Sequence, residues 1–456
     1  MSDAGSGNRL TSRSAVLALC FALVGSASML YYHQGVFIPR AREMRAANGL
    51  GGGYSFGNDF YQVWLAAREC VRGRSDPYSA EMTRDIQTGL FGRPLNPQIA
   101  SDPVDRRVFP YPAFTLLLFW PAMELPFTVA RVLFVVLLGA ATFASVLLWL
   151  RALAWSPGRV WLVVIFLLTF CSYPVLEGIY AGQLGLLVAF LLAASILALQ
   201  RGRLLPGGIL LALTTIKPQV STLVIFYVIV WSTYDWRRRG RFCIGLFSAG
   251  LVLLGASLAV WPGWIESWVR TVLAYRDYTT PVLLNTAIAS HLGPAAAGPV
   301  TTVMTAGLLI VAVVIVWRNR AASAASVEFW LTMGLLLSIT AVALLPGQAV
   351  YDDVILLPGI FLIASRWRTL SSTWVLRSLL VMGAATLLWP WFTSFVLILL
   401  RPFLTNQQFY SNLILSLPLR TAAVFPFIVL ALLALAGRQP GKKSRAAHLS
   451  YGSKGL

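Results

Sequence analysis

Residues 133–150 read LFVVLLGAATFASVLLWL, without a charge or an amide along the whole run. Runs of this kind recur from Ser14 to Leu435. A stretch of about 20 apolar residues matches the hydrocarbon thickness of a bilayer. Backbone polar groups must be satisfied there within the segment itself, so each run has to be helical. The recurrence restricts the chain to an all-α polytopic membrane protein. Composition agrees: 57% of the residues are hydrophobic, 12% are charged, and the mean hydropathy is +0.72, which no water-soluble core requires.

The formal net charge is +19. On a soluble protein that would suggest nucleic acid, but no soluble basic domain is present to bind it. The basic residues instead lie between the apolar runs, as they do in cytoplasmic loops of membrane proteins. The clusters are Arg9/Arg13, Arg151/Arg159, Arg201/Arg203, WRRRGR (236–241), WRNR (317–320), RWR (366–368) and GRQPGKKSR (437–445). Placing all of them in the cytoplasm puts both termini inside and requires an even number of crossings. Of about thirteen apolar segments, about twelve are expected to cross. The exception is Tyr111–Met123, short and bounded by Pro110, Pro112, Pro121 and Pro126, which reads as a half-helix or re-entrant piece. Ser14–Tyr32 follows Arg9 and Arg13 in the manner of a signal peptide, but further spans follow, so it is expected to be an uncleaved first helix.

This orientation leaves only Asp3, Asp235 and Glu328 inside and sends every other carboxylate outward. It divides the chain into one membrane domain, 1–436, and a basic cytoplasmic tail, 437–456. The domain carries a long first outer loop, 33–108, and a second at 261–299. Within the first loop, EMTRDIQTGLF (81–91) sets Met82, Ile86 and Leu90 on one helical face. Such a face suits a short helix in the membrane interface, or one packed on the protein's own surface.

The polar residues at the outer ends of these runs are the candidates for chemistry. Asp59, in GNDFYQVW (57–64), follows a Gly-Asn turn and precedes a helix-like run. An aspartate there can cap the helix, and the same helix N-terminus attracts phosphate. Lys217 is the only lysine outside the tail, which holds Lys442, Lys443 and Lys454. It stands between two apolar runs and before Pro218, where a lysine can simply snorkel; a compact ammonium also suits a phosphate oxygen. Tyr351, Asp352 and Asp353 open a helix running to Ser365, where acids complement the helix dipole. Gln183 and Gln219 flank apolar segments and can bind sugar hydroxyls or cap. Asn285 and His291 lie in the second outer loop. The histidines, at 33, 291 and 448, are too scattered for a His-based metal site, and the four cysteines form no CxxC pair. No Walker loop, GxSxG elbow or nucleotide fingerprint is present.

Several separated stretches share one likeness. DFYQVWLAARECVRGRSDPYS (59–79), FPYPAFTLLLFWPAMELP (109–126), GQLGLLVAFLLAASILALQRGRLLPGGILLALTTIKPQ (182–219), LLNTAIASHL (283–292) and VYDDVILLPGIFLI (350–363) follow one another in the order of motifs in glycosyltransferase family 87, which the chain resembles over about residues 55–365. Ala113 replaces the second of two prolines usual in the second motif. The resemblance implies a GT-C-type fold and transfer of a hexose, usually mannose, from a polyprenyl phosphate donor to a lipid or glycan acceptor outside the cytoplasmic membrane.

A phosphate is already a good leaving group, whereas the acceptor hydroxyl needs a base, and an ionised carboxylate can serve. A cation must hold the departing charge. The expected set is therefore Asp59 as base, Lys217 and Arg276 on the donor phosphate, and Gln183, Gln219, Asn285, His291, Tyr351 and Asp352 around sugar or acceptor. Direct displacement with such a base inverts the anomeric centre. No cofactor is expected, with a divalent metal left open, and the partners are donor, acceptor and membrane lipid. A flippase or transporter of lipid-linked sugars is the alternative; it shares the groove and the cations but has no use for a catalytic carboxylate.

Overall fold

A computed structural model describes residues 4–50, 56–71, 73, 76–347, 349–367 and 373–438. Part of the Gly-rich turn at 49–53, Gln348 and most of the basic tail lie outside the described residues. Among the described residues there are helices and no strands. The chain opens with α1 (Ala4–Tyr31), which passes through a π-helical turn, Tyr32–Phe37, into α2 (Ile38–Ala47). The first helix thus runs beyond His33, where the first outer loop was expected to begin.

The segment expected to form the first outer loop supplies α3 (Asn58–Val71) and α4 (Ala80–Phe91). Next come α5 (Phe114–Met123) and α6 (Phe127–Ala152), then α7 (Arg159–Phe170) and α8 (Tyr173–Ala181), which meet at a 52° bend. The centre is built from α9 (Leu184–Gln200), α10 (Leu204–Leu213), α11 (Pro218–Tyr234) and α12 (Trp236–Val260). The segment expected to form the second outer loop holds α13 (Trp264–Tyr278) and α14 (Leu283–Leu292), followed by α15 (Pro294–Arg318) and α16 (Val327–Ala343). After a 3₁₀ segment, Val350–Leu356, the chain ends in α17 (Leu357–Ser365), α18 (Trp374–Leu400) and α19 (Phe425–Arg438).

Five of the described helices are long and apolar enough to cross a membrane, or six if the bent α7–α8 pair is one span. The shorter apolar helices run to 10–17 residues; they include Phe114–Met123, the segment expected not to cross, and others that the expectation of about twelve crossings counted. The long ones bury only 17–39% of their apolar windows within the protein. Val132, Leu133 and Val136 on α6 and Val303 and Ile310 on α15 point outward from helices with no polar face to offer water. A belt of this kind belongs in lipid, because soluble monomers do not expose apolar surface on that scale.

Two helices outside the long spans dispose of their apolar faces differently. On α4, Met82 and Ile86 are fully buried and Leu90 nearly so. Its face packs on the protein itself, so α4 is not the interfacial helix that its pattern allowed. Ser79 caps it by accepting from the Met82 N–H at 3.0 Å, and Gly92 ends it in a left-handed conformation. The loop that follows is clasped by Arg93 on Asp102, bidentate at 2.5 and 2.8 Å. On α13, Trp264 is buried and Trp268 donates from Nε1 to the Pro110 carbonyl at 3.0 Å, while Ile265, Val269, Val272 and Leu273 are exposed.

Candidate active site

Three helices of 17 residues, α9, α11 and α16, decide where the polar centre forms. At 1.5 Å per residue each spans about 26 Å, slightly less than the hydrocarbon layer. Each begins or ends at a break carrying polar residues. The break before α9 is Gly182–Gln183, with Gly182 in the left-handed region at φ 74°. The break before α11 is Lys217, where the 3₁₀ turn Thr214–Ile216 leads into Pro218. Proline at the first helical position forfeits only an N–H that has no intrahelical partner. The break after α16 leads into Val350–Leu356, which holds Tyr351 and Asp352.

The segment that carries α3 docks onto these breaks. Gly57, at φ 78°, donates its N–H to the Tyr180 carbonyl at the end of α8 (2.8 Å) and accepts the first helical bond of α3 from Tyr61 (3.0 Å). The residue at the cap of α3 is therefore Gly57 rather than Asp59, which lies inside the first turn with its side chain free for other contacts. A Cβ on Gly182 would stand 2.9 Å from that of Phe60, so loop and break close on each other only because the residue is glycine.

At the junction, Gln183 joins two ion pairs. Its Nε2 donates to Asp59 Oδ2, and its Oε1 faces Lys217 Nζ at 3.4 Å. Arg107 Nη1 donates to Asp59 Oδ1. Lys217 Nζ donates to both oxygens of Asp352 at 2.7 Å and lies 4.8 Å from the Tyr351 ring centre. Asp59, Gln183, Lys217 and Asp352 are each less than a tenth exposed. The packing leaves room for this only at a glycine, since a Cβ on Gly185 would fall 2.1 Å from Asp352 Oδ1. Burial pushes the Asp59 carboxyl above the ordinary aspartate range; Arg107 and Gln183 pull it down and Asp105 adds to the rise. The N-termini of α3, α9 and α11 all end here, so their unpaired N–H groups favour negative charge.

The first helix braces α8 from the other side. His33 in the π-helical turn is wholly buried, with Nε2 3.0 Å from Glu177 and Nδ1 2.9 Å from the Gln34 amide. Arg42 donates to the Tyr180 hydroxyl at 2.7 Å. The second contact gives Arg42, in the arginine-rich stretch 40–45, a place in the fold, holding the helix that leads into Gly182–Gln183. Beside the cluster, an apolar cleft of ≈ 220 Å³ lies between α7–α8, α17, α18 and the start of α19. Leu168, Phe361, Leu387 and Trp391 line it, and Asp353, next to Asp352, forms part of its wall.

Of the residues expected from the sequence, the structure brings together Asp59, Gln183, Lys217, Tyr351 and Asp352. It places four elsewhere. Gln219 and Arg276 are exposed. Asn285 donates to the Thr301 hydroxyl at 3.1 Å, and His291 is exposed with Nδ1 2.8 Å from the Ala287 carbonyl. Arg107 was not among the expected residues. Nothing marks it among the many arginines except its position two residues before FPYP, whose Pro110 and Tyr111 carbonyls accept from Trp268 and Tyr78 at 3.0 and 2.8 Å and so anchor the loop. Among the described residues, no group of three or more His, Cys, Asp or Glu is arranged to hold a metal ion.

Residues 109–346, just over half of the chain, match the profile of glycosyltransferase family 87. The match takes in Gln183 and Lys217 and leaves Asp59, Arg107 and Asp352 outside it. No curated protein and no solved structure matches the chain.

Proposed function

Since the chain belongs to glycosyltransferase family 87, we propose that it is a GT-C-type enzyme transferring a hexose, mannose in the first instance, from a polyprenyl phosphate sugar to a hydroxyl of a lipid or glycan acceptor at the outer face of the cytoplasmic membrane. The observation carrying this reading is the convergence, from four distant segments, of a buried carboxylate, a buried ammonium and three helix N-termini beside an apolar cleft. The donor's isoprenoid chain lies in the cleft and its phosphate meets the helix N-termini. Lys217, fixed by Asp352, presents to the phosphate the N–H that now points weakly at Gln183.

Asp59 takes the proton of the acceptor hydroxyl while that oxygen attacks the anomeric carbon from the face opposite the phosphate. The bond from anomeric carbon to phosphate oxygen breaks, and the phosphate leaves with the electron pair. A carboxyl lifted by burial is a stronger base than one in water, and positive charge fixed at the phosphate stabilises what develops in the transition state. Gln183 and Tyr351 orient Asp59 and the sugar. Arg276, expected on the donor phosphate, is exposed and takes no part in holding it in this reading; Gln219, Asn285 and His291, outside the cluster, are left to the acceptor.

The test is sugar transfer by the purified protein in detergent, given synthetic polyprenyl phosphate mannose and a lipid acceptor extract. A product of inverted anomeric configuration supports the reading. Movement of the donor across liposomes with no transfer supports the flippase instead.

A further inference from the structure

The two cations of the cluster are held in opposite ways. Lys217 stands in a helix break inside the bundle, 6% exposed, with both oxygens of Asp352 at 2.7 Å. Its charge is cancelled by a partner that is itself only 1% exposed. Arg107 stands in a loop, and its backbone is in the left-handed region at φ 53°, which costs a non-glycine residue strain. That backbone is pinned where it is. Arg107 N–H donates to Asp105 Oδ1 at 3.0 Å, the Arg106 carbonyl accepts from Gln87 at 2.7 Å, and the Arg106 guanidinium lies 4.7 Å from the Tyr278 ring centre. Main chain and neighbour are fixed, so any movement falls to the Arg107 side chain.

In its observed place that side chain opposes the chemistry. A carboxylate that already accepts from a guanidinium on one oxygen and from an amide on the other has its charge neutralised and its exposed edge covered, which makes it a weaker base and blocks the approach of a hydroxyl. The charges add a second difficulty: Asp59, Asp105 and Asp352 face Arg107 and Lys217, so the cluster is net negative before any phosphate arrives. Entry of an anion requires one cation to change partner. Lys217 cannot do so without leaving Asp352 buried and alone. The guanidinium fork of Arg107 matches a phosphate at least as well as a carboxylate.

We propose that Arg107 is an exchangeable ligand: it rests on Asp59 in the empty protein and moves to the lipid phosphate when the donor enters, uncovering Asp59 for the acceptor hydroxyl. The base is thus available only when there is a sugar to transfer. This rests on the donor being a lipid phosphate, and the experiment separates the two ideas.

Binding of farnesyl phosphate, and of farnesol as its uncharged counterpart, is measured on the purified full chain in detergent by calorimetry, for wild type, Arg107→Gln, Asp59→Asn and the double variant. Wild type should bind the phosphate more tightly than the alcohol. Arg107→Gln should weaken the phosphate by about tenfold or more, the worth of a hydrogen bond between charged groups, and leave farnesol unchanged. Asp59→Asn should tighten the phosphate severalfold while Arg107 is present, and much less in the double variant, because the competitor is removed only where there is an arginine to release. Should Arg107→Gln not fold, Arg107→Lys takes its place, with partial loss expected. Equal phosphate affinity with and without Arg107, or the same gain from Asp59→Asn in both backgrounds, overturns the exchange while leaving the donor assignment intact. Equal affinity of wild type for phosphate and alcohol overturns the donor assignment, and the exchange with it.

Discussion

Lys217–Asp352 and Arg107–Asp59 are both lysine- or arginine-to-aspartate pairs, and both touch Gln183, yet they are built for different work. The first joins two helix breaks within the bundle, across 135 positions of sequence, with both side chains under a tenth exposed. The second joins a loop in a strained conformation to the first turn of a helix, with both side chains slightly more open, at 14% and 11%. A pair whose members both sit in the membrane-embedded framework holds elements together. A pair with one member on a loop can be traded. Equal chemistry at neighbouring sites can thus separate a fixed charge from a transferable one by the stiffness of the backbone that carries it.

Removing one member of the fixed pair should have the largest effect. Lys217→Met leaves Asp352 buried without a counter-ion and should cost about 3–5 kcal/mol, seen as a marked fall in the thermal unfolding temperature in detergent. Adding Asp352→Leu should recover most of that stability without restoring transfer. Wild-type stability of Lys217→Met alone would erase the distinction between the pairs. Gly185→Ala comes next. Its Cβ would meet Asp352 Oδ1 at 2.1 Å, so the carboxylate must shift, at about 1–3 kcal/mol for overpacking; turnover should fall with it, and unchanged stability and turnover would show the pair to be looser than drawn.

The smallest expected effect is one of pH. Asp59 acts deprotonated, and burial raises its pKa above the ordinary value of about 3.9. The rate at low donor concentration should therefore decline with falling pH before an ordinary aspartate would protonate. Arg107 lowers that pKa, so Arg107→Gln should shift the acid limb of kcat/KM to higher pH. A limb at the same pH in both proteins would mean that Arg107 does not bear on Asp59 in solution.

Much of this was legible in local sequence. The apolar runs gave the class of fold, and Gly182-Gln183 and Lys217-Pro218 marked breaks because glycine and proline punctuate helices for reasons confined to a few residues. What stayed hidden depends on tertiary register. The aspartate that looked like a helix cap was relieved of that task by Gly57, whose left-handed backbone and bond to Tyr180 follow from how the loop docks. Asp352 looked like a dipole partner for its own helix and turned out to be the partner of Lys217. Arg107 had no local signature beyond its place two residues before FPYP. The apolar face of α4 was readable, but whether lipid or protein covers it is settled by neighbours far along the chain.

If Asp59 is the base of a sugar transfer, the turnover of Asp59→Asn with polyprenyl phosphate mannose under saturating donor must reveal it. Asparagine keeps the size and shape of the side chain, the cap belongs to Gly57 and Arg107 keeps Asp105 as a charge partner, so the variant should fold, with a smaller loss of stability than Lys217→Met. Its rate should fall by about 10²–10⁴-fold, the usual worth of a general base. A folded Asp59→Asn protein that transfers mannose at close to the wild-type rate would contradict the account.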